Sequence, residues 1–191
     1  MQARSPSPLW RPLGYVAIGT FALLSIPWTA MHWHASGVHW SSGDFVVAGG
    51  LLFGTGCAYV LLARHRGRTA YRAASAIALL TLLMLVWANL AVGILGTEAD
   101  PANLMYAGVV GVAVIGALLA RFRARGMAWA LVAAALLLTV IAVVALTAGL
   151  AVPRDNPLPT LMAHGIFIAL LLTAAWLYRR AARDASDTRP D

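Results

Sequence analysis

Residues 120–149 read ARFRARGMAWALVAAALLLTVIAVVALTAG, three arginines followed by an unbroken run, 127–149, without a charged side chain. At about 1.5 Å per residue such a run crosses the roughly 30 Å of a bilayer's hydrocarbon. No water is available there to satisfy a backbone, so the run is a helix. The rest of the chain repeats the pattern. Apolar stretches at about 13–32, 44–63, 73–96, 102–120 and 159–178 are each long enough to span, and polar punctuation separates them. The fold class expected is all-α, a six-helix transmembrane bundle. The spans occupy residues 13–178, with a short segment 1–12 before them and an Arg-rich tail 179–191 after them.

Composition agrees. Of 191 residues 61% are hydrophobic and 11% charged, against about 45–50% and about 25% in soluble domains. The net charge of +7 does not point to nucleic acid. All fourteen basic residues are arginine, and thirteen fall on one side of the six-span arrangement: Arg4 and Arg11; Arg64, Arg66, Arg68 and Arg72; Arg121, Arg123 and Arg125; Arg179, Arg180, Arg183 and Arg189. Cytoplasmic loops carry that excess, and clusters so placed face anionic lipid. Both termini are therefore expected inside (N-in/C-in), with the lipid bilayer as the first partner. Only Arg154 lies opposite. Arg4 and Arg11 before an apolar run resemble a signal peptide, but Trp28-Thr29-Ala30 is a poor cleavage site, so the first span is expected to be retained. The single cysteine, Cys57, lies within the second span and permits no internal disulfide.

Helix contacts in lipid favour small residues. Gly50 and Gly54 form a GxxxG, Ala107 and Gly111 repeat the spacing, and Ala133, Ala134 and Ala135 follow in the fifth span. These serve packing within the chain or between copies, so a homo-oligomer or a membrane partner protein is the second kind of partner considered. Pro27 is expected to loosen the outer end of the first span.

The outer face carries the residues that admit chemistry. His32, His34 and His39 leave the first span, Asp44 follows, and His164 stands near the start of the sixth, about one turn in if Thr160 caps that helix. Imidazole and carboxylate suit zinc or copper, and two histidines on different spans suit haem. The opposing reading is an interfacial belt of histidines beside Trp28, Trp33 and Trp40, with Asp44 closing a capping box on Ser41.

A second group lies around the loop after the third span. Asn89, two turns inside the expected end of that span, needs a partner because an unpaired amide in hydrocarbon costs several kcal/mol. Gly93 and Gly96 are expected on its face. Asp100 and Pro101 suit an N-cap and first helical residue. Asn103 and Tyr106, three apart, reach toward Asn89's region. Glu98 follows a helix C-terminus, where an acid opposes the macrodipole; Arg154 is its candidate ion-pair partner. Asn89, Glu98, Asn103 and Tyr106 are thus expected to form an outward-opening polar patch.

The segment 89–106, NLAVGILGTEADPANLMY, with Ala120-Arg121-Phe122 and Arg125-Gly126-Met127-Ala128, resembles a family of small uncharacterised bacterial inner-membrane proteins, over about residues 43–180. The resemblance implies a polytopic protein of the bacterial cytoplasmic membrane and carries no activity or catalytic residue. Signatures such as HExxH, CxxC, GxSxG and a phosphate-binding Gly-Lys-Ser loop do not occur. The function expected is non-enzymatic: support of a partner complex, or passage or sensing of a small solute through the polar patch. The alternative is a metal- or haem-bearing protein using the outer histidines.

Overall fold

The computed structural model describes residues 9–33, 37–65, 69–95, 100–150 and 156–187. Among them are six long helices and no strand: α1 (Trp10–His32), α2 (Ser42–His65), α3 (Thr69–Ala91), α4 (Met105–Leu119), α5 (Ala124–Thr147) and α6 (Leu158–Asp187). A single 3-10 turn, Pro101–Leu104, leads into α4. All six are long and apolar enough to cross a membrane, the fourth counted with its 3-10 turn.

The helices fall into two compact units, Met1–Arg64 and His65–Asp191. In the first, α1 meets α2 through glycines of α2. A Cβ at Gly56 would stand 2.5 Å from Val16 Cγ1, and one at Gly49 would stand 3.3 Å from the Leu24 side chain. Gly50 and Gly54, the GxxxG of the sequence, face open space. The contacting pair is spaced by two helical turns instead, and the intervening pair points off the contact. α1 continues through Pro27 to His32, with Ser25 and Thr29 donating to the carbonyls of Ala22 and Ile26. Asp44 closes the expected capping box: its carboxylate accepts from Ser41 N at 2.7 Å and Ser41 Oγ at 2.9 Å, and Asp44 N donates back to Ser41 Oγ.

In the second unit α5 packs on both α4 and α6, α6 packs on α3, and α3 and α4 meet only sparsely. α5 can serve two neighbours because alanines carry its contacts. Ala128, Ala134 and Ala145 are completely buried, with Leu138 between them. Lateral apolar contact gains little where lipid is the alternative, so close backbone approach supplies the packing instead. α4 comes close to α5 at Gly116, where a Cβ would lie 2.6 Å from Ala130 Cβ and 3.3 Å from its Cα; Gly111, at the spacing the sequence singled out, meets nothing.

Helix ends depart from the sequence reading chiefly in α3, which spans Thr69–Ala91 against the expected 73–96, and at the far end of α6. α3 stops at Ala91 rather than near 96, because Gly93 takes a left-handed φ of +73° and turns the chain. Asn89 is therefore in the last turn of α3, and Gly93 is off its helical face. α6 begins at Leu158, within a residue of the expected start, and its cap is Asn156 rather than Thr160: Asn156 Oδ1 accepts from Leu158 N at 3.1 Å. It also runs through Arg179, Arg180 and Arg183, residues read as tail. Arg179 lies 4.8 Å over the ring of Trp129, and Tyr178 is completely buried beside Ser75, 2.8 Å between hydroxyl oxygens. α5 ends where expected, Gly149 at φ +66° letting Leu150 N reach the carbonyl of Ala145.

The glycine contacts give a paired prediction. Gly116→Ala forces a Cβ into the Ala130 backbone and lowers stability by about 1–3 kcal/mol, whereas Gly111→Ala leaves it unchanged or slightly raised. Unfolding of the two variants in detergent, side by side, measures the difference.

Candidate functional site

Three of the four residues expected to form the polar patch come together where α3 gives way to α4, and the fourth, Glu98, lies outside the described residues. The organiser is Asn103 in the 3-10 turn. Asp100 positions it, its side chain accepting from Ala102 N at 2.9 Å with Pro101 as first helical residue, as the sequence predicts. Asn103 is 95% buried, and its Oδ1 accepts from Ile94 N at 3.2 Å and Leu95 N at 3.0 Å. Its Nδ2 donates to the carbonyl of Leu95 at 3.0 Å. One side chain thus supplies the partners that the irregular backbone after Gly93 would otherwise lack. Its own carbonyl accepts from Asn89 Nδ2 at 3.0 Å.

That last bond fixes the amide of Asn89. A backbone carbonyl only accepts, so Nδ2 must face it and Oδ1 must point elsewhere. Oδ1 is buried and, among the described residues, has no hydrogen-bond partner.

Tyr106, one turn beyond Asn103, is completely buried and joins a residue the sequence assigned to the metal reading. Its hydroxyl stands 3.0 Å from Nε2 of His164, which is itself 98% buried. Nδ1 of His164 is 2.7 Å from the carbonyl of Thr160. Since that carbonyl accepts, Nδ1 carries the proton, and in the neutral ring Nε2 accepts from the Tyr106 hydroxyl. Both ring nitrogens are thereby engaged. The result is a chain of hydrogen bonds from Tyr106 on α4 through His164 to the first turn of α6.

The sparse contact between α3 and α4 leaves a cavity of about 470 Å³. Asn89, Asp100, Asn103 and Tyr106 line it together with Leu85, Val86, Leu90, Leu104, Ala107 and Val110. Its wall is mostly aliphatic with a few polar groups, as in ligand pockets, and its size is within their usual range of about 300–1,000 Å³.

The remaining candidates are dispersed. His32 is exposed and stacks on Trp28, ring centroids 5.7 Å apart at 7°. His39 is exposed, Asp44 is the cap of α2, and Cys57 is a half-buried free thiol. His34, Arg154 and Gly96 lie outside the described residues. Among the described residues no three of His, Cys, Asp and Glu come together as a metal ion would require. Two features escaped sequence reasoning. One is the Tyr106–His164 pair, 58 positions apart. The other is a buried network at the Arg-rich end, where Tyr71 donates to the carbonyl of Phe122 at 2.9 Å and Ser75 meets Tyr178.

No family model matches the sequence, and neither curated proteins nor solved structures gave a match.

Asn103→Ala strips partners from two backbone N–H groups and a carbonyl at once. At about 1–3 kcal/mol for each buried group left unsatisfied, it should be among the most destabilising single changes in the chain, losing about 3 kcal/mol or more. A double-mutant cycle on Tyr106→Phe and His164→Phe, read by thermal unfolding in detergent, should give a coupling of about 0.5–1.5 kcal/mol.

Proposed function

We propose that this chain is a non-enzymatic, multi-pass protein of the bacterial cytoplasmic membrane, with both termini in the cytoplasm, that passes or senses a small solute through the cavity between α3 and α4. The observation that carries the reading is that cavity: largely aliphatic, with its polar groups Asn89, Asp100 and Asn103 gathered where α3 ends and the 3-10 turn before α4 begins. That end of the helices is opposite the one bearing Arg121, Arg123, Arg125, Arg179 and Arg180. By the excess of arginine in cytoplasmic loops, the cavity belongs to the outer half of the membrane.

The Tyr106–His164 bond supports a sensing role, since it couples a wall residue of the cavity on α4 to α6. A solute that moves Tyr106 changes a contact between two helices. Support of a partner complex has less to stand on, because the exposed apolar faces of the helices are covered equally well by lipid.

Ala107 lines the cavity without taking part in any of its hydrogen bonds, so it is a clean place for a reporter. In a Cys57→Ser background, Ala107→Cys should react with a membrane-impermeant maleimide applied outside intact cells, and Arg123→Cys should react only after the membrane is opened. Labelling of Ala107→Cys solely after permeabilisation, or not at all, overturns the reading.

A further inference from the structure

At the Arg-rich end of the second unit, the seam between α5 and α6 carries an exposed cation held from both sides. The guanidinium of Arg179 on α6 lies 4.8 Å over the ring of Trp129 on α5, within reach of a cation–π contact. Beside it on α6, Arg180 stands 5.9 Å over the ring of Trp176. Both arginines are exposed, and the two tryptophans are 61% and 54% exposed. Arg125, also exposed, is one turn from Trp129 along α5 and shares its face.

A ring under a guanidinium fixes its place without engaging its N–H groups. Among the described residues none of Arg125, Arg179 and Arg180 donates to a carboxylate or a carbonyl. Donors held in place with no acceptor from the chain suit an oxyanion, and the planar fork of arginine matches phosphate. The surface below them is apolar. Leu136 and Leu172 lie seven residues deeper than Trp129 and Arg179, two turns along the same helix faces, and both are exposed. α5 and α6 are consecutive and packed together, so the two leucines flank the seam as the pair above them does, about 10 Å further into the hydrocarbon. A phosphate above and a hydrocarbon chain below belong to a phospholipid. A choline or ethanolamine head would bring its own cation toward Arg125 and Arg180, whereas a head of net negative charge brings none.

We propose that the α5–α6 seam holds one anionic phospholipid, its phosphate accepting from Arg179 where that residue stacks on Trp129, and one acyl chain lying along Leu136 and Leu172. This is narrower than the attraction of arginine clusters for anionic lipid in general, because it assigns one lipid to one place. It does not involve the cavity between α3 and α4.

Native mass spectrometry of the full chain in detergent micelles tests it, with phosphatidylglycerol, phosphatidylcholine of the same acyl chains, or glycerol phosphate added. Phosphatidylglycerol should add once per chain at saturation, about tenfold more tightly than phosphatidylcholine, and glycerol phosphate should not bind. Arg179→Gln should weaken phosphatidylglycerol about tenfold, the loss expected for hydrogen bonds from a charged donor. Trp129→Leu, which keeps every charge, should weaken it severalfold. Arg11→Gln removes the same charge from α1, where Arg11 also stands over a tryptophan, 5.3 Å from the ring of Trp10; it should leave the adduct unchanged. Arg179, Trp129 and Arg11 are all exposed, so the variants keep their fold. Equal losses in Arg179→Gln and Arg11→Gln, with none in Trp129→Leu, would show diffuse attraction and overturn the site. Equal binding of the two phospholipids overturns the choice of head, and glycerol phosphate binding as tightly as phosphatidylglycerol overturns the assignment to a lipid.

Discussion

The arrangement of α3 and α4 depends on the side chain of one residue, Asn103. After Ala91 the chain leaves helical geometry over residues 92–95, and at membrane depth a non-helical backbone survives only when protein groups take the place of water. Asn103 does so for two N–H groups and one carbonyl, while its own carbonyl holds Asn89. Its bonds tie the stretch after α3 to the 3-10 turn that leads into α4. The cavity, the fixed amide of Asn89 and the position of Tyr106 one turn further on all follow from this hub.

The spans were legible in the sequence because their physical cause is local. A run such as 127–149, with no charge and flanking arginines, can do little else but cross a membrane, and its neighbours follow the same rule. Caps were legible for the same reason: Ser41 with Asp44, and Asp100 with Pro101, act over three residues or fewer. What failed was inference about faces. Gly50 with Gly54 and Ala107 with Gly111 have the spacing of contact motifs, yet the close contacts fall at Gly56 and Gly116. Spacing says which residues share a face; it does not say which face has a neighbour. The end of α3 was misplaced because apolar composition continues past Gly93, and only the left-handed turn there reveals the stop.

The site was half legible. Asn89, Asn103 and Tyr106 stood out as polar groups in apolar surroundings, and they are neighbours. His164 stood out too, but chemistry suggested a metal, and no local pattern could say that its partner is a tyrosine on another helix, 58 positions away. Asp100 read as a cap and is one; that the same carboxylate also borders the cavity depends on how far α4 stands from α3.

The two ends of the second unit solve one problem with different outcomes. At the Arg-rich end, Arg121 and Phe122 adopt left-handed φ of 48° and 56° in the α4–α5 turn, and the freed carbonyl of Phe122 is taken by Tyr71. Ser75 and Tyr178 close that region with a further bond, and the packing there is built on side chains that are wholly buried. At the other end a hub of the same kind holds an irregular backbone next to the cavity, yet the buried Oδ1 of Asn89 has no partner among the described residues.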